Sequence, residues 1–197
     1  MDEKGNGHAE EAEVYLLKET HRVDLEPIES GGYILDIGGG GEGIVGKLNG
    51  RRVISIDKNR RELEETKNDS LKIVMDATDL KFLPCSFEVV TSFFTMMYIK
   101  TDAHARVFDE AYRVLVDGGR FLIWDLRIPE RFSAERFFGV MIKVSIPDET
   151  ISTGYGVKWE GKVQDMEHFR DLAAEKGFQV LNEWSEGEIF FLELQKS

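Results

Sequence analysis

The sequence predicts an α/β protein built on a doubly wound, mostly parallel seven-stranded sheet, with an antiparallel C-terminal hairpin and a small β insertion after the fifth strand. Three observations predict it. Short apolar runs alternate with segments of helical period, as in successive βαβ units. Gly38, Gly39, Gly40, Gly41 and Gly43 stand between the first such run and the first helical segment. Phe87 to Phe94 is almost wholly apolar or hydroxylic, the composition of a strand buried on both faces of a parallel sheet.

Taken in order, Tyr33 to Ile37 reads as the first strand, and a helix follows the glycines to about Leu48. Arg52 to Asp57 is the second strand. Asn59, with Glu62 three residues on, marks the cap of a helix running to about Asn68. Leu71 to Met75 is the third strand and Phe87 to Phe94 the fourth. Over Asp102 to Val116, the residues Val107, Phe108, Ala111, Val114 and Leu115 form one apolar stripe at helical spacing, and Gly118-Gly119 is expected to end that helix. Arg120 to Leu126 is the fifth strand. Residues 127–163 break the alternation, with Phe137 to Ile146 and Glu149 to Lys158 as two extended segments joined near Pro147-Asp148. Met166, Phe169, Leu172 and Ala173 mark a last helix ending at Gly177, and Phe178 to Trp184 with Glu188 to Leu194 form a hairpin around Glu186-Gly187. Residues 1–30 are read as an N-terminal helical cap or lid, leaving 31–197 as a single domain.

At 197 residues one domain is the default. The 37 acidic side chains against 25 Lys and Arg give a net charge of −12, the wrong sign for neutralising nucleic-acid phosphates. Nine of the acids fall in residues 1–30 against three bases, which disfavours an anionic membrane surface. Cys85 is the one cysteine, so no intrachain disulfide and no zinc cluster is expected, and no metal site is proposed. No basic stretch followed by an apolar run opens the chain, and Val89 to Ile99, the longest uncharged stretch of the body, has eleven residues. The expectation is a cytoplasmic protein with no membrane and no nucleic-acid partner.

Gly38, Gly40 and Gly43 satisfy G-x-G-x-x-G, and Asp57 ends the second strand 19 residues after Gly38, where an acid can accept bonds from ribose hydroxyls. A plain tight turn explains the glycines alone. Asp36 separates two cofactor classes, because the position two before the first glycine is usually apolar in nicotinamide sites. Asp36-Ile37-Gly38-Gly39-Gly40 resembles motif I of the class I S-adenosylmethionine-dependent methyltransferases. Ile56-Asp57, Asp76-Ala77, Leu83-Pro84 through Phe94, and Val114 through Asp125 resemble that family's later motifs in the right order. The resemblance spans residues 33–125 and is closest to the type 11 methyltransferase domain group, whose fold is Rossmann-like.

The resemblance implies that Asp36 holds the methionine amino end of S-adenosyl-L-methionine and that Gly38 and Gly40 allow its close approach. It implies Asp57 on the ribose, Asp76 and the Ala77 N–H at the adenine, and Phe93 among the residues beside the sulfonium. Asp79 competes with Asp76, although a turn cap explains it as well. Two positions depart from the pattern. Asp117 stands where proline is usual, and Glu42 stands where a third alternating glycine would fall. An inward Glu42 would repel the cofactor carboxylate, so its side chain is expected to point outward.

In-line transfer to a small-molecule acceptor, leaving S-adenosyl-L-homocysteine, needs positioning more than covalent protein chemistry. Were a general base required, Tyr15, His21, Tyr98 and Asp125 are the candidates, with Tyr15 and His21 on the N-terminal helix. The insertion carries Arg127, Arg131, Arg136, Phe137, Phe138, Tyr155 and Trp159, and it could choose the acceptor or equally pair two subunits into a homodimer. The leading reading is a methyltransferase. A non-catalytic cofactor-binding relic or regulatory subunit and an NAD-dependent oxidoreductase are the alternatives.

Overall fold

The computed structural model describes residues 14–197. The strands are β1 (Val14–Asp24), β2 (Ile34–Ile37), β3 (Val53–Asp57), β4 (Leu71–Val74), β5 (Phe87–Phe93), β6 (Leu115–Leu126), β7 (Phe137–Ile146), β8 (Glu149–Lys158), β9 (Phe178–Glu186) and β10 (Ile189–Lys196). The helices are α1 (Ile44–Asn49), α2 (Arg60–Glu65), α3 (His104–Val114) and α4 (Met166–Lys176), with short 3-10 turns at Gly50–Arg52, Met96–Tyr98 and Thr101–Ala103. Seven strands form one sheet in the order β4-β3-β2-β5-β6-β10-β9. The first five run parallel, and β10 is antiparallel to both its neighbours. The hairpin therefore inserts its second strand between β6 and β9.

Alternation along β2 assigns the two faces. Ile34, with Val53 and Val89, packs in the layer that holds α1 and the insertion. Leu35 and Ile37, with Ile56 and Val90, face Val107 and Phe108 of α3 and Phe169 of α4. Asn59 caps α2 as its sequence predicts, accepting from Arg61 N–H at 3.1 Å, while Glu62 lies 3.4 Å from its side-chain amide. That helix stops at Glu65, short of Asn68, because Thr66 turns extended and its hydroxyl donates to the Glu62 carbonyl at 2.6 Å. Gly118-Gly119 does not end α3. The helix stops at Val114, Leu115 is already paired with Phe87, and Arg120 pairs with Val89, so residues 116–119 bulge out of β6 with Gly118 at φ 76°.

The insertion forms the expected antiparallel pair, in register from Phe137↔Lys158 to Ile146↔Glu149. It gains a third strand that the sequence reading assigned to a helix. Val14–Asp24 of the expected cap is β1, which runs parallel to β7 in a separate sheet of order β1-β7-β8; residues 1–13 lie outside the described residues. The physical reason is its period. Tyr15, Leu17, His21 and Val23 turn the same way at alternate positions, the last two buried, which is strand spacing and not helix spacing. This small sheet lies on the main one through Phe138, Val140, Ile142 and Val144, with Trp159 buried beneath it.

Trp159 is 1% exposed, and its indole N–H donates to the Pro129 carbonyl at 2.8 Å. Trp159→Ala should cost about 3–5 kcal/mol in urea unfolding, from lost burial and the cavity left behind. Leu83→Ala, at a side chain 79% exposed, should cost less than ~0.5 kcal/mol. Equal costs would show that the small sheet is not part of the cooperative core.

Candidate functional site

The strand order reverses between β2 and β5, and a cleft of about 940 Å³ opens there, at the carboxyl ends of the parallel strands. Its floor is the loop after β2. Gly38 has φ 74°, and a Cβ there would come within 2.1 Å of the Thr95 hydroxyl oxygen. A Cβ on Gly40 would lie 2.6 Å from Glu62 Cβ and 2.9 Å from an Asp57 carboxylate oxygen. The loop is pinned to β3 by Gly38 and Gly39 N–H groups donating to the Ile56 carbonyl at 2.8 and 3.0 Å.

Three aspartates line the cleft, and each has a different environment. Asp36 is 2% exposed and has one hydroxyl donor, Thr91, at 2.8 Å. Burial pushes its carboxyl up to about 7; the Thr91 bond opposes this and the Asp57 charge adds to it. Asp57 accepts from the Asn59 N–H at 2.7 Å. Asp76 accepts from the Thr78 N–H and hydroxyl at 2.9 and 2.8 Å and pairs with the Lys58 ammonium at 2.9 Å, which together hold it down near 2. Ala77 lies beside it on the same wall, whereas Asp79 does not line the cleft and pairs with Lys81 at 2.5 Å.

The opposite wall is aromatic. Phe93 and Phe94 follow from β5, and Tyr155 of β8 stacks on Phe94 with ring centres 4.9 Å apart and planes 7° apart. Tyr98 lines the same cleft, and its hydroxyl accepts from the Gly156 N–H at 3.3 Å. Burial pushes both phenols above their ordinary range.

Of the candidate bases only Tyr98 reaches the cleft. Tyr15 is not on a helix and packs in an aromatic cluster with Phe132, Phe138 and Trp159, at ring distances of 5.0, 5.8 and 5.4 Å. His21 is buried below the hairpin turn, where a Cβ on Gly187 would lie 2.5 Å from its ring. Asp125 is fully buried and absent from the lining. Glu42 does not point outward. Its carboxylate crosses the cleft mouth to accept from the Thr153 hydroxyl and, at 3.3 Å, from the Tyr155 hydroxyl, two groups that the alternation of β8 turns inward. The sequence reading also missed Lys58, Glu62 and Thr95 as lining residues. Their signal was adjacency: Lys58 follows Asp57, Glu62 stands one turn into the next helix, and Thr95 follows β5.

Asp36 couples this site to stability. Its ordinary value is 3.8 and its folded value about 7, so between those values the native state keeps a proton that the unfolded chain releases. The contribution of Asp36 to stability therefore falls as pH rises from about 4 to 7, against an opposite contribution from His104, which burial holds down near 4. In Asp36→Asn the urea midpoint should fall less steeply across that range. The slope should shrink and not vanish, because Asp125 is shifted in the same direction. An unchanged slope would show that Asp36 is not held neutral.

A protein-family model described as "Methyltransferase domain" matches residues 35–123. No curated protein matches the chain. Among solved structures, an S-adenosylmethionine-dependent methyltransferase from Methanosarcina mazei aligns over 88% of this chain and 99% of its own, with a TM-score of 0.61 at 16% identity. One from Mesorhizobium loti aligns over 83% and 90%, with a TM-score of 0.58 at 14% identity. A geranyl diphosphate methyltransferase in complex with S-adenosylmethionine aligns over 87% and 80%, with a TM-score of 0.60 at 13% identity. At these identities the likeness is one of fold. The matched segment runs from β2 into β6 through every motif that forms the cleft floor, and the chain has the fold of the S-adenosylmethionine-dependent methyltransferases.

Proposed function

We propose that the chain binds S-adenosylmethionine in this cleft and moves its methyl group to a small-molecule acceptor by in-line displacement. The observation that carries the reading is the convergence of Asp36, Gly38, Gly40, Asp57, Asp76 and Ala77 on one cleft at the switch point of the sheet. The donor set fits such a cofactor. Asp36 offers a buried carboxylate to an ammonium, Asp57 offers oxygens to ribose hydroxyls, and Asp76 with the Ala77 N–H suits an adenine edge. Gly40 brings the loop backbone closer to Asp57 than any side chain would allow.

Bound S-adenosylmethionine supplies an electrophilic methyl on a sulfonium. The chain's own contribution is to orient and to exclude water. Phe93, Phe94 and Tyr155 line this wall, and an aromatic ring face favours a cation. Tyr98, Ile99, Lys100 and Gly154 line the remaining wall, where an acceptor would enter. The hairpin closing this side and the net charge of −12 both support a small acceptor over a nucleic acid.

Calorimetric titration tests the reading. S-adenosylhomocysteine should bind at micromolar level, and Asp57→Ala should weaken it at least about tenfold, as loss of a charged hydrogen bond does. Near pH 6.5 binding should release protons, because Asp36, held near 7, must ionise to meet the ligand ammonium. Buffers of different ionisation enthalpy report that release. Binding of NAD⁺ instead, or of neither ligand, would overturn the assignment.

A further inference from the structure

The Met96–Tyr98 turn carries Tyr98 into the cleft, yet most of what holds it lies outside the cleft. The Met97 N–H donates to Asp125 Oδ2 at 3.3 Å. His104 Nε2 lies 3.0 Å from the Met96 carbonyl oxygen, and the Lys162 ammonium donates to the Ile99 carbonyl at 2.8 Å. Within the turn itself the bonds are Tyr98 N–H to Thr95 carbonyl, 2.9 Å, and Ile99 N–H to Met96 carbonyl, 3.0 Å. Just before it, Phe94 takes φ 47°, a region costly for a side chain of this size. Such a turn takes its position from its surroundings.

Asp125 is where those surroundings meet. Its Oδ1 accepts from the Leu126 N–H at 2.8 Å and from the Gln164 side-chain amide at 2.6 Å. The same Gln164 amide donates to the Leu126 carbonyl at 2.8 Å, and the Gln164 backbone pairs with Ile128. One carboxylate thus joins the end of β6, the turn that bears Tyr98, and the chain returning from the insertion. It is fully buried, so it cannot take a proton from an acceptor in the cleft.

We propose that Asp125, braced by Gln164, is a positioning residue: its carboxylate fixes the Met96–Tyr98 turn against the insertion and so sets where the Tyr98 hydroxyl stands in the cleft. The catalytic consequence rests on the methyl-transfer reading of the cleft. The clamp itself does not.

All the partners of this carboxylate are N–H donors, so a proton on it finds no acceptor among them and weakens the bonds that the oxygens accept. The clamp is complete only in the anion. Burial pushes the Asp125 carboxyl up to about 7, against its three kinds of donor. The other titratable groups facing this joint are Lys162 on the stretch after the insertion, Tyr98 on the turn, and His104 and His168 on α3 and α4, whose rings meet at 3.0 Å. Burial holds His104 down near 4 and lowers His168 from its ordinary value, so neither gains its charge where Asp125 does. The turn should loosen as pH falls through about 7.

Tyrosine labelled with 13C at the ring ε positions reads this directly by NMR, with the Tyr98 signal assigned by its absence in Tyr98→Phe. In the unaltered protein that signal should shift with pH about a midpoint near 7. In Asp125→Asn it should lose that titration, while S-adenosylhomocysteine affinity at pH 8 stays within about twofold, since no cofactor-side group is touched. Should Asp125→Asn not fold, Gln164→Met keeps the carboxyl and removes one donor, and the midpoint should move up. A Tyr98 signal indifferent to pH, a titration unchanged in Asp125→Asn, or an unmoved midpoint in Gln164→Met overturns the clamp. Failure of the unaltered protein to bind S-adenosylhomocysteine would overturn the cofactor reading and leave the Tyr98 titration standing.

Discussion

No side chain fits between the loop after β2 and the groups that flank it. Gly38 lies against Thr95, Gly39 against Asp36 and Ser55, and Gly40 against Glu62 and Asp57, all at distances where a Cβ would overlap a neighbour. This close approach lets the end of β2 meet the ends of β3 and β5 at one level. It also leaves Asp36 and Asp57 on a common floor. The helix that follows is short, and its start is a left-handed glycine with no side-chain cap, so the loop takes its shape from sheet contacts. Thr66 and Asn68 brace it from beyond α2, bonding to the carbonyls of Gly41 and Gly43 at 3.0 and 2.9 Å.

The far wall comes from parts of the chain remote in sequence. β1 and the insertion, more than a hundred residues apart, pair into one small sheet whose inward face packs on the main one. That packing aims alternate residues of β8, Thr153 and Tyr155, at the cleft. Glu42, which departs from the glycine pattern, meets them there. Its charge is met by two hydroxyl donors, which offsets part of the penalty that an acid facing this loop would otherwise carry. The loop and the wall are thus joined by the residue that looked most out of place in the sequence.

The parallel core was legible because its strands are short, apolar and separated by strong stops. The glycines, the Asn59 cap and Gly177 each act locally, and local chemistry can be read from one chain. The pairing of β1 with β7 was not legible, since it is a contact between distant segments, and Val14–Asp24 puts apolar Leu16 outward and exposed Glu19 among the alternate positions that otherwise turn inward, which blurs the alternation. Asp36, Asp57 and Asp76 were legible as a set because each stands at or just past the carboxyl end of a strand, where such sheets bind ligands. Glu42 and Asp125 were misjudged for a shared reason. The fate of a carboxylate depends on which donors reach it, and here those donors, Thr153, Tyr155, Met97 and Gln164, lie between 28 and 113 residues away.

Asp36 and Asp125 make that point sharply, because burial pushes both up to about 7. Asp125 has donors on both oxygens, from three segments of backbone and side chain, and so its charge is answered by the protein itself. Asp36 has a single hydroxyl donor and borders the cleft, with the Asp57 charge nearby making its ionisation harder still. A carboxylate kept so poorly satisfied costs stability unless something else answers it. An ammonium arriving in the cleft would do so, restoring the charged form and gaining a bond that water did not supply. On the proposed reading, the same degree of burial marks one acid as a joint between segments and the other as a site that a ligand ammonium completes.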